Sequence, residues 1–317
     1  MKKNNLFFTT VTILSILIVS MLYMLLYPHE DNTYMISVIV PNSSNNMWKR
    51  FEAGMRQASE NDNVNINFVN TTEMETLADQ ENLILNELKN GADGIITQFI
   101  DSSNTESIIS EIVDRSNLEL LSEADAYDID AKKISKINVD ETLIATTLTS
   151  QIFDELGRNL SFKRACIIAG NQNQNNLKIR LNTIKDILED AGVSITNIVE
   201  GNEDALNEQL KYIDEPSFLV SLDSISLDSA ISYAREYNIP LYGIGCSDQS
   251  VSAMDNGVIH AMIVPDAYMM GYKAVHTMYR KLYIKQDKIE AKVDFYVVNR
   301  NTMFTSRNSK ILFPIGE

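Results

Sequence analysis

From residue 34 onward the chain alternates short apolar runs with amphipathic helical stretches almost without a break, and this alternation restricts the fold more than any other feature. Strand-like runs lie at 34–40, 64–69, 94–99, 118–121, 134–139, 164–169, 193–199, 218–222, 240–244, 258–264 and 293–298. Between them the apolar period becomes helical, with Leu77, Ile84 and Leu88 on one face and Leu177, Ile184 and Leu188 on another. A strand, a helix and a further strand in this rhythm form the crossover unit that a parallel strand pair requires. The pattern therefore predicts an α/β fold whose parallel sheets are covered on both faces by helices. A chain of 317 residues is long enough for about two such units.

The segment before residue 34 is of another kind. No charge occurs from Leu6 to Tyr27, a run that as a helix measures about 33 Å and matches a hydrocarbon core. Lys2 and Lys3 precede it, which places residues 1–5 in the cytoplasm and everything after Tyr27 on the extracytoplasmic face of a cell membrane. A cleaved signal peptide is the rival reading. The run exceeds a usual h-region, ends in SMLYMLLYPHE without an A-x-A-like cleavage site, and has no nearby cysteine for a lipid. The expectation is one uncleaved transmembrane signal anchor at 6–27, followed by a linker at 28–33.

Charge and chemistry exclude several functions. The chain carries 43 acidic and 27 basic residues, for a net charge of −16, and every acidic residue follows the apolar segment. Such a surface repels nucleic acid and anionic lipid and keeps the domain soluble. Cys166 and Cys246 sit in apolar strand-like contexts and are expected as buried thiols rather than a disulfide framework. His29, His260 and His276 lack any paired metal-ligand spacing, and GIGCSD has the wrong glycine spacing for a dinucleotide or phosphate loop. No cofactor or metal is expected. The acidic residues form no motif that supplies paired catalytic carboxylates or an activated nucleophile, so the chain is not expected to be an enzyme.

The residues also carry a family resemblance. SVIVPNSSNNMWKRFEAGMRQASE, followed by a helix containing Gln80, the run at 91–96 and Asp101, resembles the first lobe of the type I periplasmic sugar-binding proteins. INVDETLIATTL is similar to the crossing into their second lobe, and GNQNQNNLKIRLNTIKDILEDAGV and DNGVIHAMIVPDAYMMGYKAVHTMYRKL are similar to its later helices and final strand. The resemblance implies two Rossmann-like, doubly wound parallel-sheet lobes joined by a three-segment hinge. Lobe 1 would comprise 34–139 plus 266–293, and lobe 2 would comprise 140–265 plus 294–317. It also implies a ligand cleft between the lobes that closes by hinge motion. Lactose-repressor-like proteins share these lobes, but a membrane segment occupies the place of their DNA-binding headpiece.

Carried over residue by residue, the resemblance puts Asn45 at the sugar-contacting Asn and Met47 and Trp48 at the aromatic pair. Trp48 would stack on the apolar face of a sugar ring; packing under the loop is the alternative. Lys178 falls at the ligand-binding Arg, with Arg180 two residues on, and Asp223 matches a strand-end acceptor that is equally a helix N-cap. Asp101 completes the corner of the first lobe. Three places depart from the pattern. LSEADAYD has Ala124 where the family has Arg, leaving Glu123 or Asp125 to approximate its Asp; Gly245 stands for a strand-end Asp, with Asp248 the nearest substitute; and Pro265 stands for Gln. The implied function is binding of a small polar ligand, a sugar foremost, for delivery to an ABC-type permease. The alternatives are sensing on behalf of a membrane histidine kinase, and a scaffold that has lost sugar binding.

Overall fold

The computed structural model of the chain describes residues 11–22, 34–43, 46–71, 74, 76–122, 133–158 and 160–313. It divides into two units, Met1–Thr33 and Tyr34–Glu317. In the first, residues 11–22 form helix α1 and are exposed throughout. The rest of the anticipated anchor and its linker lies outside the described residues. Among the described residues no helix is long and apolar enough to cross a membrane.

In chain order the second unit begins β1 (Met35–Ile39), α2 (Asn46–Asp62), β2 (Asn65–Phe68), α3 (Leu77–Lys89), β3 (Gly94–Thr97), α4 (Glu106–Arg115), β4 (Asn117–Leu121) and β5 (Ile134–Val139). It continues α5 (Glu141–Leu156), β6 (Arg164–Gly170), α6 (Asn175–Asp190), β7 (Ser194–Glu200), α7 (Glu203–Gln209), β8 (Phe218–Ser221), α8 (Ser224–Tyr237), β9 (Leu241–Ile244) and α9 (Asp248–Asp255). β10 (Ile259–Pro265), α10 (Ala267–Tyr283), β11 (Glu290–Val293), β12 (Phe295–Asn299) and α11 (Ser306–Leu312) complete it. The strands form two six-stranded sheets, in the orders β11-β5-β4-β3-β1-β2 and β12-β10-β9-β8-β6-β7. Every pairing is parallel except that of β12 with β10. Strand order reverses between β1 and β3 in one lobe and between β6 and β8 in the other, the topological switch points where ligands of such sheets bind.

One sequence expectation needs correction. The run at 293–298 reads as one strand, but the structure divides it at Asp294, the charged residue inside it. β11 pairs with β5 in the first sheet, whereas β12 pairs with β10 in the second. The Asp266 N–H donates to Asp294 O at 3.0 Å, which ties this crossing to the one that follows β10. Sheet membership depends on the partner strand, which local periodicity does not specify.

Side-chain alternation along the strands distributes the core. In β1, Ile36 and Val38 pack with Phe51, Met55, Ala274 and Met278 of α2 and α10, while Ile39 packs with Ile84 and Ile109 of α3 and α4. In the second lobe α5 and α6 cover one face and α8 and α9 the other. Helices α2 and α10 run side by side in the same sense and touch through glycines. A Cβ on Gly54 would stand 1.9 Å from Tyr268 O, and one on Gly271 would stand 1.9 Å from Phe51 O. This close approach fixes α2, whose N-terminal end carries Trp48 and Arg50.

One buried group is at odds with its surroundings. Leu118 and Leu120 of β4 belong to the cluster under α3 and α4, so alternation turns Glu119 toward α10. It is fully buried there, and neither carboxyl oxygen has a hydrogen-bond partner among the described residues. Burial pushes the carboxyl well above the usual carboxylate range, and Lys281 of α10 draws it only part of the way back. The folded state thus favours the protonated acid, while the unfolded chain titrates near the ordinary value. Stability fully present below the unfolded pKa is lost as pH rises through the raised folded pKa. The melting temperature of Glu119→Gln should depend less steeply on pH than that of the wild type as pH rises above the ordinary carboxylate range. Equal slopes in a thermal-melting series would show that Glu119 contributes nothing to the pH dependence.

Candidate functional site

The carboxyl ends of both sheets open onto one cavity of about 140 Å³ between the lobes. From the first lobe come Pro41 and Asn42 after β1, Trp48 and Arg50 of α2, Gln98 after β3 and Ser122 after β4. The second lobe adds Gln174 and Arg180, the corner at Asp223 and Ser224, and Gly245 and Cys246 after β9. Parallel topology explains this convergence, because every strand of a parallel sheet delivers its following loop to the same edge. Polar helix starts collect there for the same reason. Asp140, Asp223, Ser247 and Asp266 are the N-caps of α5, α8, α9 and α10, and each accepts from a backbone N–H of its helix.

Trp48 is 5% exposed, lines the cavity and packs edge-on against Phe51 with ring centroids 5.2 Å apart. It is therefore a wall of the cavity and part of the core at once. Met47 lines the cavity beside it and is half-buried. Asn45 lies outside the described residues, as do Glu123, Ala124 and Asp125.

Arg180 lines the cavity, but its guanidinium is engaged by the protein. Its Nε donates to Glu141 Oε2 at 2.6 Å and its Nη1 donates to Leu222 O at 2.7 Å. Both side chains are buried, and Glu141 Oε1 has no hydrogen-bond partner among the described residues. Burial pushes the Glu141 carboxyl up and the neighbouring Arg180 partly offsets this, the net direction being upward. Lys178, at the place of the family's Arg, is exposed and is not part of the cavity wall.

Asp223 has two roles. Its Oδ1 accepts from the Ser226 N–H at 2.7 Å, closing a capping box with the Ser226 hydroxyl, and the residue lines the cavity. Its Oδ2 lies on the side of Gly170, 3.0 Å from where a Cβ of that residue would stand. Asp101 stands outside the cavity wall. Its Oδ1 accepts from the Ser103 N–H at 2.8 Å and from the Ser103 hydroxyl, which shapes the corner before α4.

Gly245 and Asp248 show why one family position departs. Gly245 has φ +127°, and a Cβ there would stand 2.4 Å from Ser224 Oγ and 2.7 Å from Ser224 N. No side chain fits at that strand end, because Ser224 of the β8–α8 corner occupies the space. Asp248 does not substitute: it is an exposed first residue of α9 and lies outside the cavity wall. Pro265 does line the cavity, and it pairs with Phe295 across the two returning strands.

Sequence reasoning missed the polar groups Asn42, Gln98, Ser122, Gln174, Asn176 and Ser224 at the cavity. Position at a strand end was the available signal, since each follows a strand or opens the next helix. Gln80, noted for its resemblance, acts from behind the wall. Its Nε2 donates to Gln98 O and Thr97 Oγ1 at 2.7 and 3.0 Å, and its Oε1 accepts from the Ile100 N–H at 2.9 Å.

The lobes also bond to each other directly. The Ser102 N–H donates to Asn173 O at 3.0 Å, and the Asn175 N–H donates to Ser102 Oγ at 3.0 Å. Asn171 Nδ2 donates to Ile100 O at 2.9 Å and Gln174 Nε2 to Phe99 O at 3.2 Å. These contacts join the β3–α4 corner of one lobe to the β6–α6 corner of the other.

Comparison with known proteins places this architecture. No curated protein sequence matches the chain. A carbohydrate transporter solute-binding protein from Agrobacterium radiobacter, solved in complex with D-arabinose, superposes with a TM-score of 0.79 at 13% identity, covering 89% of this chain and 100% of its own. GanP, a glucose-galactose binding protein from Geobacillus stearothermophilus, gives 0.76 at 16% identity over 87% and 100% of the two chains. A chain of the XylFII–LytSN complex gives 0.72 at 18% identity over 85% and 98%. At these identities the superpositions establish the fold. Residues 36–286 match the family model described as periplasmic binding protein domain, and with two parallel-sheet lobes around one cavity the chain belongs to that family.

Proposed function

We propose that the protein is an extracytoplasmic solute-binding protein that takes up a small polar ligand, a sugar, between its lobes for delivery to an ABC-type permease. Segment 6–27 would act as an uncleaved, single-pass signal anchor that holds the binding domain at the outer face of the cell membrane. The observation that carries this reading is the cavity itself, where strand ends of both sheets meet and Trp48 shares the wall with amides, hydroxyls and the Asp223 carboxylate. A flat ring beside hydrogen-bonding groups suits a ligand with one apolar face and several hydroxyls. The D-arabinose bound to one relative and the glucose-galactose specificity in another's name support a monosaccharide of this kind.

A second reading is ligand sensing on behalf of a membrane histidine kinase. It is favoured by the fold shared with XylFII in its complex with LytSN, and it would use the joined lobes as the surface a partner reads. Copurification of a permease or of a kinase with the full-length protein decides between the two.

The binding test is a thermal-shift screen of residues 34–317 against monosaccharides, disaccharides and polyols. A ligand at a hundred times its dissociation constant should stabilise the domain by about 2.7 kcal/mol. A panel without any shift would remove the sugar-binding reading. Because Trp48 is the single tryptophan, its fluorescence reports on the cavity directly. Trp48→Leu, which keeps apolar bulk but lacks the flat ring, should weaken the ligand about tenfold, or ~1.4 kcal/mol. Undiminished affinity in that variant would leave Trp48 a packing residue only.

A further inference from the structure

We propose that Arg50 is a cross-lobe latch that holds the cleft shut through the C-terminal helix, independently of any ligand. Arg50 belongs to α2 of the first lobe and lines the cavity. Its Nη1 donates to Ile311 O and its Nη2 donates to Leu312 O at 3.1 Å. These are the last carbonyls of α11, which no further turn of helix satisfies and which carry the negative end of the helix dipole. A guanidinium is suited to this place because its planar fork reaches two adjacent acceptors at once. Nη1 also lies 3.4 Å from Cys246 Sγ, at the end of β9 in the second lobe.

Helix α11 is fixed to the second lobe. Asn308 Nδ2 donates to Val297 O of β12 at 3.2 Å and to Thr302 O at 3.1 Å, and Leu312 is buried in the core that contains Val298. The Arg307 guanidinium lies 4.8 Å from the centre of the Tyr296 ring on the same strand. A charge-assisted bond from α2 to α11 is therefore a bond from lobe to lobe. It is separate from the contacts between the 99–102 and 171–175 corners, yet rigid lobes can break or make the two sets only together. Arg50 thus joins three things that otherwise lie apart: the cavity wall, the end of β9 and the C-terminal helix.

The amides of Ser102 and Asn175 provide the test, because both donate across the lobes only when the cleft is closed. Hydrogen exchange at these two amides is compared in the wild type, Arg50→Met and Arg50→Lys, without added sugar. Arg50→Met keeps the apolar stem without the donors and should exchange about tenfold faster at both positions, as well as within α11. Arg50→Lys, which offers a point charge in place of the fork, should be intermediate. Faster exchange confined to α11 would make Arg50 a local support for that helix and overturn the latch, as would unchanged exchange at all three places. If Arg50→Met does not fold, Arg50→Lys alone decides: wild-type exchange at Ser102 and Asn175 in that variant refutes the proposal.

Discussion

Gly54→Ala should destabilise the protein by about 3 kcal/mol or more, although the same exchange at an unobstructed helical position stabilises by about 1 kcal/mol. The reversal of sign follows from the close contact of α2 and α10. The new methyl would stand 1.9 Å from Tyr268 O, which is backbone and cannot turn aside, and Gly271→Ala meets Phe51 O in the same way. The two helices must separate to admit either methyl, which opens the core beneath Phe51, Met55, Ala274 and Met278. Thermal melts of each variant should show midpoints lower by roughly 6–12 °C. The double variant should cost less than the sum, since helices already parted by one methyl admit the second more readily. Because Trp48, Arg50, Ala267 and Met270 sit on these helices and line the cavity, ligand affinity should fall along with stability. A stabilised Gly54→Ala would contradict the packing described for this face of the first lobe.

Arg180→Met is the second large effect. Removing the guanidinium strands the Glu141 carboxylate in a buried site, which costs about 3–5 kcal/mol when an ion pair loses one member. Arg180→Met combined with Glu141→Leu should recover most of that loss, because two apolar groups of similar bulk leave no uncompensated charge. The single variant should also respond to pH. Without Arg180 the carboxyl is pushed further up, so the folded state is favoured while Glu141 is protonated and loses stability as pH rises. Denaturation of the three proteins in mild acid and at neutral pH tests both points. If the double variant is as unstable as the single one, the Leu222 contact rather than the ion pair is the important part of Arg180. The result also bears on function. An Arg180 that serves Glu141 is a positioning residue at the cavity wall, and a ligand would rely instead on the amides and hydroxyls at the strand ends.

How much of this was legible beforehand differs by residue. The helical stripe of α3, with Ile84 and Leu88, and the apolar runs of β1 and β6 announced themselves, because burial of one face imposes a period on the sequence itself. Trp48 was ambiguous between stacking on a ligand and packing under its loop, and in space it is a core residue that also lines the cavity. Asp223 was ambiguous between cap and ligand contact, and in space it is a cap that also faces the cavity. Lys178 and Arg180 were indistinguishable by spacing. Only the turn of α6 against Glu141 and Leu222 buries one and leaves the other in solvent.

The sequence alone thus determined the succession of strands and helices, the parallel topology that follows from it, and hence that polar strand ends would gather at one edge of each sheet. These are consequences of short-range periodicity and of connections too long for hairpins. Tertiary structure decided the rest. It excluded a side chain at Gly245 because Ser224 occupies the space, paired Arg180 with Glu141, and brought Arg50 to the end of α11. Each of these depends on two segments far apart in the chain, and an interaction between distant segments leaves no period in either one.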